Sequence, residues 1–68
     1  MAGDEDRILE EALDNLREAS ERLRATRNRM LASGMPNQPS HRDLFVRVST
    51  ALAMSEAAFV EARRRIGR

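Results

Sequence analysis

The 68-residue chain has no cysteine, tryptophan or tyrosine, and its aromatic residues are Phe45 and Phe59. Without cysteine, no disulfide can stabilise a chain whose length allows only a marginal core. Without tryptophan or tyrosine, we do not expect stacking surfaces for nucleic-acid bases or aromatic cages. Lysine is missing too, because all twelve basic residues are arginine, and we interpret this bias as a trace of a GC-rich bacterial coding sequence.

The sequence also lacks a long apolar run. It contains neither the apolar core of a signal peptide nor a membrane-spanning stretch, so we expect a cytoplasmic protein that does not enter a membrane. Charged residues make up 34% of the chain and hydrophobic residues 41%, which is too apolar for plain disorder and is typical of amphipathic helices. We therefore predict one small all-α domain over residues 1–68.

Residues with catalytic or metal-binding chemistry are few and have no suitable partners in the sequence. His41 is the single histidine, and no second histidine or glutamate stands at metal-ligand spacing from it. Ser49, Thr50 and Ser55 lack the histidine and carboxylate that activate a nucleophile, so we interpret them as packing residues. We expect no cofactor, no metal ion and no enzymatic activity.

The longest apolar pattern, in residues 44–66, indicates a helix with more apolar surface than one neighbouring helix can bury. Alanine also favours helices on exposed faces, but valine has no such advantage there. Large apolar residues recur every seven positions, a smaller residue follows most of them three positions later, and two further rows flank this seam. The seam consists of Phe45, Leu52, Phe59 and Ile66 with Val48, Ser55 and Ala62, and the flanking rows are Leu44, Ala51 and Ala58, and Val46, Ala53 and Val60.

The first half of the chain repeats this spacing. After a loose terminus at residues 1–3, we predict a first helix from about Asp4 to Ser33, because acidic residues at its start favour a helix N-terminus. Its seam places large apolar residues seven apart and small ones three positions after each. The large residues are Leu9, Leu16, Leu23 and Met30.

A short connection separates the two helices. Gly34 is predicted to take the left-handed conformation that ends a helix, and two prolines make residues 34–39 a turn. Ser40 is predicted to cap the second helix, with Asp43 as the acidic partner of a capping box. The second helix is then expected from about His41 to Ile66, closing at Gly67.

The two seams match when the chain folds back on itself as an antiparallel hairpin. Facing residues in such a hairpin have residue numbers with a constant sum, and all four layers of large residues satisfy this condition. The layers are Leu9 with Ile66, Leu16 with Phe59, Leu23 with Leu52, and Met30 with Phe45. The sequence therefore predicts an antiparallel two-helix hairpin.

The surplus apolar surface of the second helix predicts association. Two hairpins would form a four-helix bundle as a homodimer, or one hairpin would bind another helical protein. This predicts a non-enzymatic association module, such as a small adaptor, regulator or assembly subunit. The expected interface residues are Leu44, Ala51, Met54, Ala58 and Val60.

An alternative function is nucleic-acid binding by a hairpin dimer. Residues 21–47, at the loop end, contain six arginines and two acids, a net charge of +4, whereas the remainder has six arginines and nine acids, a net charge of −3. A basic end of this kind attracts nucleic acid or an acidic partner. The candidate contact residues are Arg22, Arg24, Arg27, Arg29, Arg42 and Arg47.

Overall fold

The computed structural model describes residues 2–66. Helix α1 spans Ala2–Ala32, a 3₁₀ turn spans Met35–Asn37, and helix α2 spans Pro39–Ile66. The two α-helices pack against each other along their lengths, and the described residues contain no strand. The Cα atoms occupy a rod of 51 × 14 × 14 Å. The predicted all-α, two-helix fold is confirmed.

Helix α1 begins two residues earlier than predicted. We expected residues 1–3 to be loose and the helix to start at Asp4, but Ala2 and Gly3 are helical. Asp4 and Glu5 consequently lie in the first turn, where their charges interact favourably with the helix dipole. The helix ends at Ala32, one residue before the predicted Ser33, while Met1 lies outside the described residues.

The turn after α1 depends on Gly34, as predicted. Gly34 has φ 78° and ψ 12°, the left-handed conformation that glycine adopts without steric cost, and its N–H donates to the carbonyl of Leu31. The N–H of Asn37 then donates to the carbonyl of Gly34, which closes the 3₁₀ turn around Pro36. The chain reverses its direction within this segment.

Helix α2 begins two residues before the predicted start near His41, and the prediction that Ser40 caps it is wrong. The helix begins at Pro39, and the N–H groups of His41 and Arg42 both donate to the carbonyl of Gln38 at 2.9 Å. Proline suits the first helical position, because its φ is already helical and the N–H that it lacks would have no partner there. Ser40 therefore lies inside the helix and is not its N-cap. The predicted closing residue, Gly67, lies outside the described residues.

The core between the helices is thin. Met30, Leu52 and Ala62 are its buried apolar residues, and the other large residues of the two seams, from Leu9 to Ile66, are half-buried. No large side chain of residues 2–66 is fully buried. A hairpin of this kind removes one face of each helix from water and leaves the remainder exposed.

A hydroxyl pair sits in the middle of this core. Ser20 is buried, and its Oγ lies 2.8 Å from Oγ of Ser55, which also donates to the carbonyl of Leu16 at 3.4 Å. The residue numbers of Ser20 and Ser55 have the same sum as those of Leu23 and Leu52, so this contact agrees with the predicted register. A buried hydroxyl without a partner would destabilise the fold, so the pair favours this register over shifted ones.

Candidate interaction surfaces

Large apolar side chains are exposed along both helices, mainly on α2. Met54 is 67% exposed and Val60 56%, while Leu44 and Val46 are each 53% exposed. Ile8 and Leu31 of α1 are also exposed. Each helix has two flanks beside the seam, so these residues divide between two sides of the hairpin.

One side, which we call the bridged side, is crossed by arginines of α1 that reach α2. Arg24 forms a salt bridge with Glu56, and Nε of Arg27 donates to Oγ of Ser49 at 3.2 Å. Two guanidinium groups lie over aromatic rings, that of Arg17 at 5.7 Å from the centroid of Phe59 and that of Arg27 at 5.8 Å from the centroid of Phe45. These contacts cover the edge of the seam.

Val46, Ala53 and Val60 also lie on the bridged side. Each is three or four residues from Ser49 or Glu56, which places the two rows next to each other on the helix surface. Val60 and Glu56 line an open groove of about 360 Å³ together with Arg17 and Arg24. The apolar residues of this side therefore stand beside charged groups.

The opposite side, which we call the open side, contains the row Leu44, Ala51 and Ala58. These residues lie three or four positions from Val48, Ser55 or Ala62, the part of the seam that faces away from Ser49 and Glu56. Met54 adjoins Ala51 and Ala58 by the same spacing. Among residues 2–66, no salt bridge joins the two helices on this side. Leu44 of this side and Val46 of the bridged side are equally exposed, so the two sides differ in the contacts that join the helices and not in the exposure of these residues.

The five predicted interface residues are all exposed in the hairpin, but they do not share one face. Leu44, Ala51, Met54 and Ala58 belong to the open side, whereas Val60 belongs to the bridged side. Their role at an interface stays a prediction. The sequence pattern could not separate the two rows, because both flank the seam at equal spacing.

The six candidate arginines of the loop end are distributed over both sides, and most have partners within the chain. Arg24 and Arg27 bind across the bridged side, whereas Arg22 and Arg29, seven positions apart, lie on the flank of α1 that faces away from it. Arg29 lines a cavity beside Met30 and Ser33. The remaining contacts are local: Arg22 with Glu18 at 3.1 Å, Arg42 with the carbonyl of Pro36 at 3.1 Å, and Arg47 with Asp43 at 3.0 Å.

Hydroxyl and imidazole groups are placed as follows. The hydroxyl of Ser49 accepts from Arg27 and that of Ser55 pairs with Ser20, so both serve as hydrogen-bonding groups at the helix contact. His41 is half-buried in the first turn of α2, and Thr50 is exposed. Within residues 2–66, no three acidic or histidine side chains form a group suited to a metal ion.

Neither α1 nor α2, as far as the chain is described, has a stretch with the length and hydropathy that a membrane crossing requires. Comparisons with protein families, with curated proteins and with solved structures found no match.

Proposed function

We propose that this protein is a non-enzymatic helical association module, a small adaptor, regulator or assembly subunit that acts by forming a homodimer or by binding another helical protein. The observation that carries this proposal is the exposed open-side row of α2, Leu44, Ala51, Met54 and Ala58, on a helix whose hairpin core buries little. Apolar side chains on successive turns of an exposed helix are typical of a surface that a partner covers.

The total accessible surface supports the same proposal. The hairpin exposes 5430 Å², whereas a compact monomer of 7.7 kDa is expected to expose about 4,300 Å². The surplus of about 1,100 Å² is comparable to the roughly 800 Å² per partner that a standard protein interface buries. Two hairpins that cover the exposed apolar row of α2 would form a four-helix bundle.

Concentration dependence tests this proposal. Because a partner would supply burial that the hairpin lacks, we expect folding and dimerisation to be coupled, so that the melting temperature rises with protein concentration. Sedimentation equilibrium gives the mass, and circular dichroism at several concentrations gives the melting temperature. A fully helical monomer that melts cooperatively at the same temperature across the micromolar range would contradict self-association.

Nucleic-acid binding at the loop end makes a different prediction. Arg24→Gln combined with Arg27→Gln should keep the helices and the dimer, because glutamine favours helices and both residues lie away from the open side. The lost contacts, the exposed pair of Arg24 with Glu56 and the contacts of Arg27 with Ser49 and Phe45, contribute about 1 kcal/mol each. Fluorescence anisotropy with labelled RNA and DNA at low salt is the measurement. An association module should bind neither. Binding by the wild type that falls steeply with salt, and less steeply in the variant, would support the nucleic-acid alternative.

A further inference from the structure

We infer that the partner of the open side is a second copy of this chain, docked antiparallel about a two-fold axis level with Met54 of α2 and Ser20 of α1. The inference rests on the proposed self-association. It adds which side of the hairpin forms the interface, the antiparallel direction of the two copies, and which helices pair. Four observations carry it: the stripe on α2, the stripe on α1, the level at which the two stripes are centred, and the side on which they lie.

The stripe on α2 has alternating spacings of three and four residues, which keep it on one face of the helix. Turned end to end about Met54, its central part from Arg47 to Glu61 matches itself: Ala51 faces Ala58 of the second copy, and Arg47 faces Glu61. A parallel arrangement would instead place Arg47 against Arg47 and Glu61 against Glu61, which is unfavourable. The stripe consists of Leu44, Arg47, Ala51, Met54, Ala58, Glu61 and Arg65.

The outer flank of α1 carries a second stripe with the same spacing. Its first half is acidic and its second half basic, so it also matches an antiparallel copy of itself. Glu18 then faces Arg22 of the second copy, and Glu11 faces Arg29, with the centre of symmetry at the level of Ser20. The stripe consists of Ile8, Glu11, Asn15, Glu18, Arg22, Ala25 and Arg29.

The two centres coincide in the folded hairpin. Oγ of Ser20 lies 2.8 Å from Oγ of Ser55, the residue after Met54, so the centres about which the charges of the two stripes match lie at nearly one level along the rod. A single two-fold axis therefore satisfies the α2 pair and the α1 pair together. Nothing in the spacing of either helix alone requires this agreement, since it depends on the hairpin register.

Both stripes lie on the open side. Ile8 of the α1 stripe and Arg65 of the α2 stripe line the same cavity at the open end of the hairpin, together with Glu5 and Leu9. The salt bridge of Arg24 with Glu56 lies on the other side. Two hairpins that meet on this side therefore place α2 beside α2 and α1 beside α1, which is the arrangement of a square four-helix bundle.

The charged residues of these stripes are accessible for pairing between chains. The side chains of Arg22 and Arg47 are 77% and 75% exposed, and each already forms an i,i+4 pair within its helix. In the dimer, the pair Asp43–Arg47 would meet the pair Glu61–Arg65 of the second copy, which is formed at 3.0 Å in the hairpin. In the contact between the two α2 helices, oppositely charged residues then lie at both ends, and the uncharged residues Ala51, Met54 and Ala58 lie between them.

Cysteine crosslinking tests the direction of packing, and the absence of native cysteine makes single substitutions specific. When Ala51→Cys and Ala58→Cys chains are mixed and mildly oxidised, we expect a mixed disulfide, because facing Cα atoms lie within the roughly 4.4 to 6.8 Å that a disulfide needs. Each variant alone should crosslink poorly, since its own positions are about seven residues, or roughly 10 Å, apart along the axis. Ala53→Cys mixed with Val60→Cys, with the same spacing on the bridged side, is the matched control and should not crosslink.

Charge reversal tests the face independently. Arg47→Glu and Glu61→Arg homodimers each contain two like-charge pairs between chains, whereas their heterodimer restores two opposite-charge pairs. The pairs within each chain are the same in both situations. We expect the heterodimer to be favoured about tenfold over the homodimers, measured by exchange of differently labelled chains. Statistical mixing would overturn the inference.

The failure of this inference differs from the failure of the proposed function. A wild type that stays monomeric would contradict self-association and the two-fold arrangement together. A wild-type dimer in which Ala51→Cys and Ala58→Cys each crosslink with themselves, or in which the bridged-side control crosslinks instead, would overturn the antiparallel arrangement and leave self-association standing.

Discussion

Leu52→Ala is expected to lower the free energy of unfolding by about 2 to 5 kcal/mol, the usual cost of removing a buried leucine side chain. Leu52 is 7% exposed and faces Leu23 in a central layer. Because few side chains are buried in this core, the residues around Leu52 cannot rearrange to fill the cavity that the substitution leaves. We expect Leu23→Ala, in the facing position, to cost a similar amount or somewhat less because Leu23 is half-buried.

The matched comparison is a substitution to alanine on the exposed surface of α1. Glu18→Ala removes an exposed pair with Arg22 within the chain and, in the proposed dimer, an exposed pair with Arg22 of the second copy, so it should cost less than about 1 kcal/mol. Urea denaturation followed by circular dichroism measures all three variants at one protein concentration, which matters because association contributes to apparent stability. Equal losses for Leu52→Ala and Glu18→Ala would show that the helices do not pack in this register.

Periodicity predicted the fold because it reflects burial directly. Large residues recur every seven positions in both helices, and the constant sum of facing residue numbers predicted the register of the hairpin. The contact between Ser20 and Ser55 agrees with that register. Gly34 was identifiable for a local reason, since few other residues adopt positive φ without strain. These features depend on neighbours in the sequence or on a simple repeat.

Two kinds of feature could not be predicted from the sequence: contacts between residues far apart in the chain, and the choice between two neighbouring residues for the start of a helix. Ser20 occupies a polar position in the pattern, and its burial follows from a hydroxyl 35 residues away. Arg24 was interpreted as free for nucleic acid, but Glu56 lies within its reach only after the chain folds. Ser40 was predicted as the cap because serine is a strong N-cap, but Pro39 already fits the first helical position and moves the start of α2.

The division of α2 into two sides follows from the same long-range contacts. Val46 and Val60 looked equivalent to Leu44 and Ala58, because both rows stand beside the seam. The arginines of α1 make them different, since Arg24 and Arg27 reach across one side only. For this reason we propose the row that includes Ala58, and not the row that includes Val60, as the interface.

Ala58→Arg is expected to dissociate the dimer and to remove much of the helicity at micromolar concentration. Ala58 lies on the open side, where the two-fold arrangement places it against Ala51 of the second copy, and the contact between two alanines leaves no room for a guanidinium group. An uncompensated charge in an apolar contact is costly, and the symmetry introduces the charge twice. We expect the dissociation constant to rise by about a hundredfold or more, equivalent to about 2.7 kcal/mol.

Ala53→Arg provides the control, because it makes the same substitution on the same helix at an exposed position of the bridged side. It adds the same charge and the same helix propensity, but it should leave the dimer intact. Sedimentation equilibrium and circular dichroism on the wild type and both variants separate the outcomes. If Ala53→Arg dissociates the protein and Ala58→Arg does not, the bridged side is the interface. If neither substitution changes mass or helicity, the exposed alanines of α2 serve helix propensity alone, because a surface that tolerates arginine on both flanks is one that water already covers.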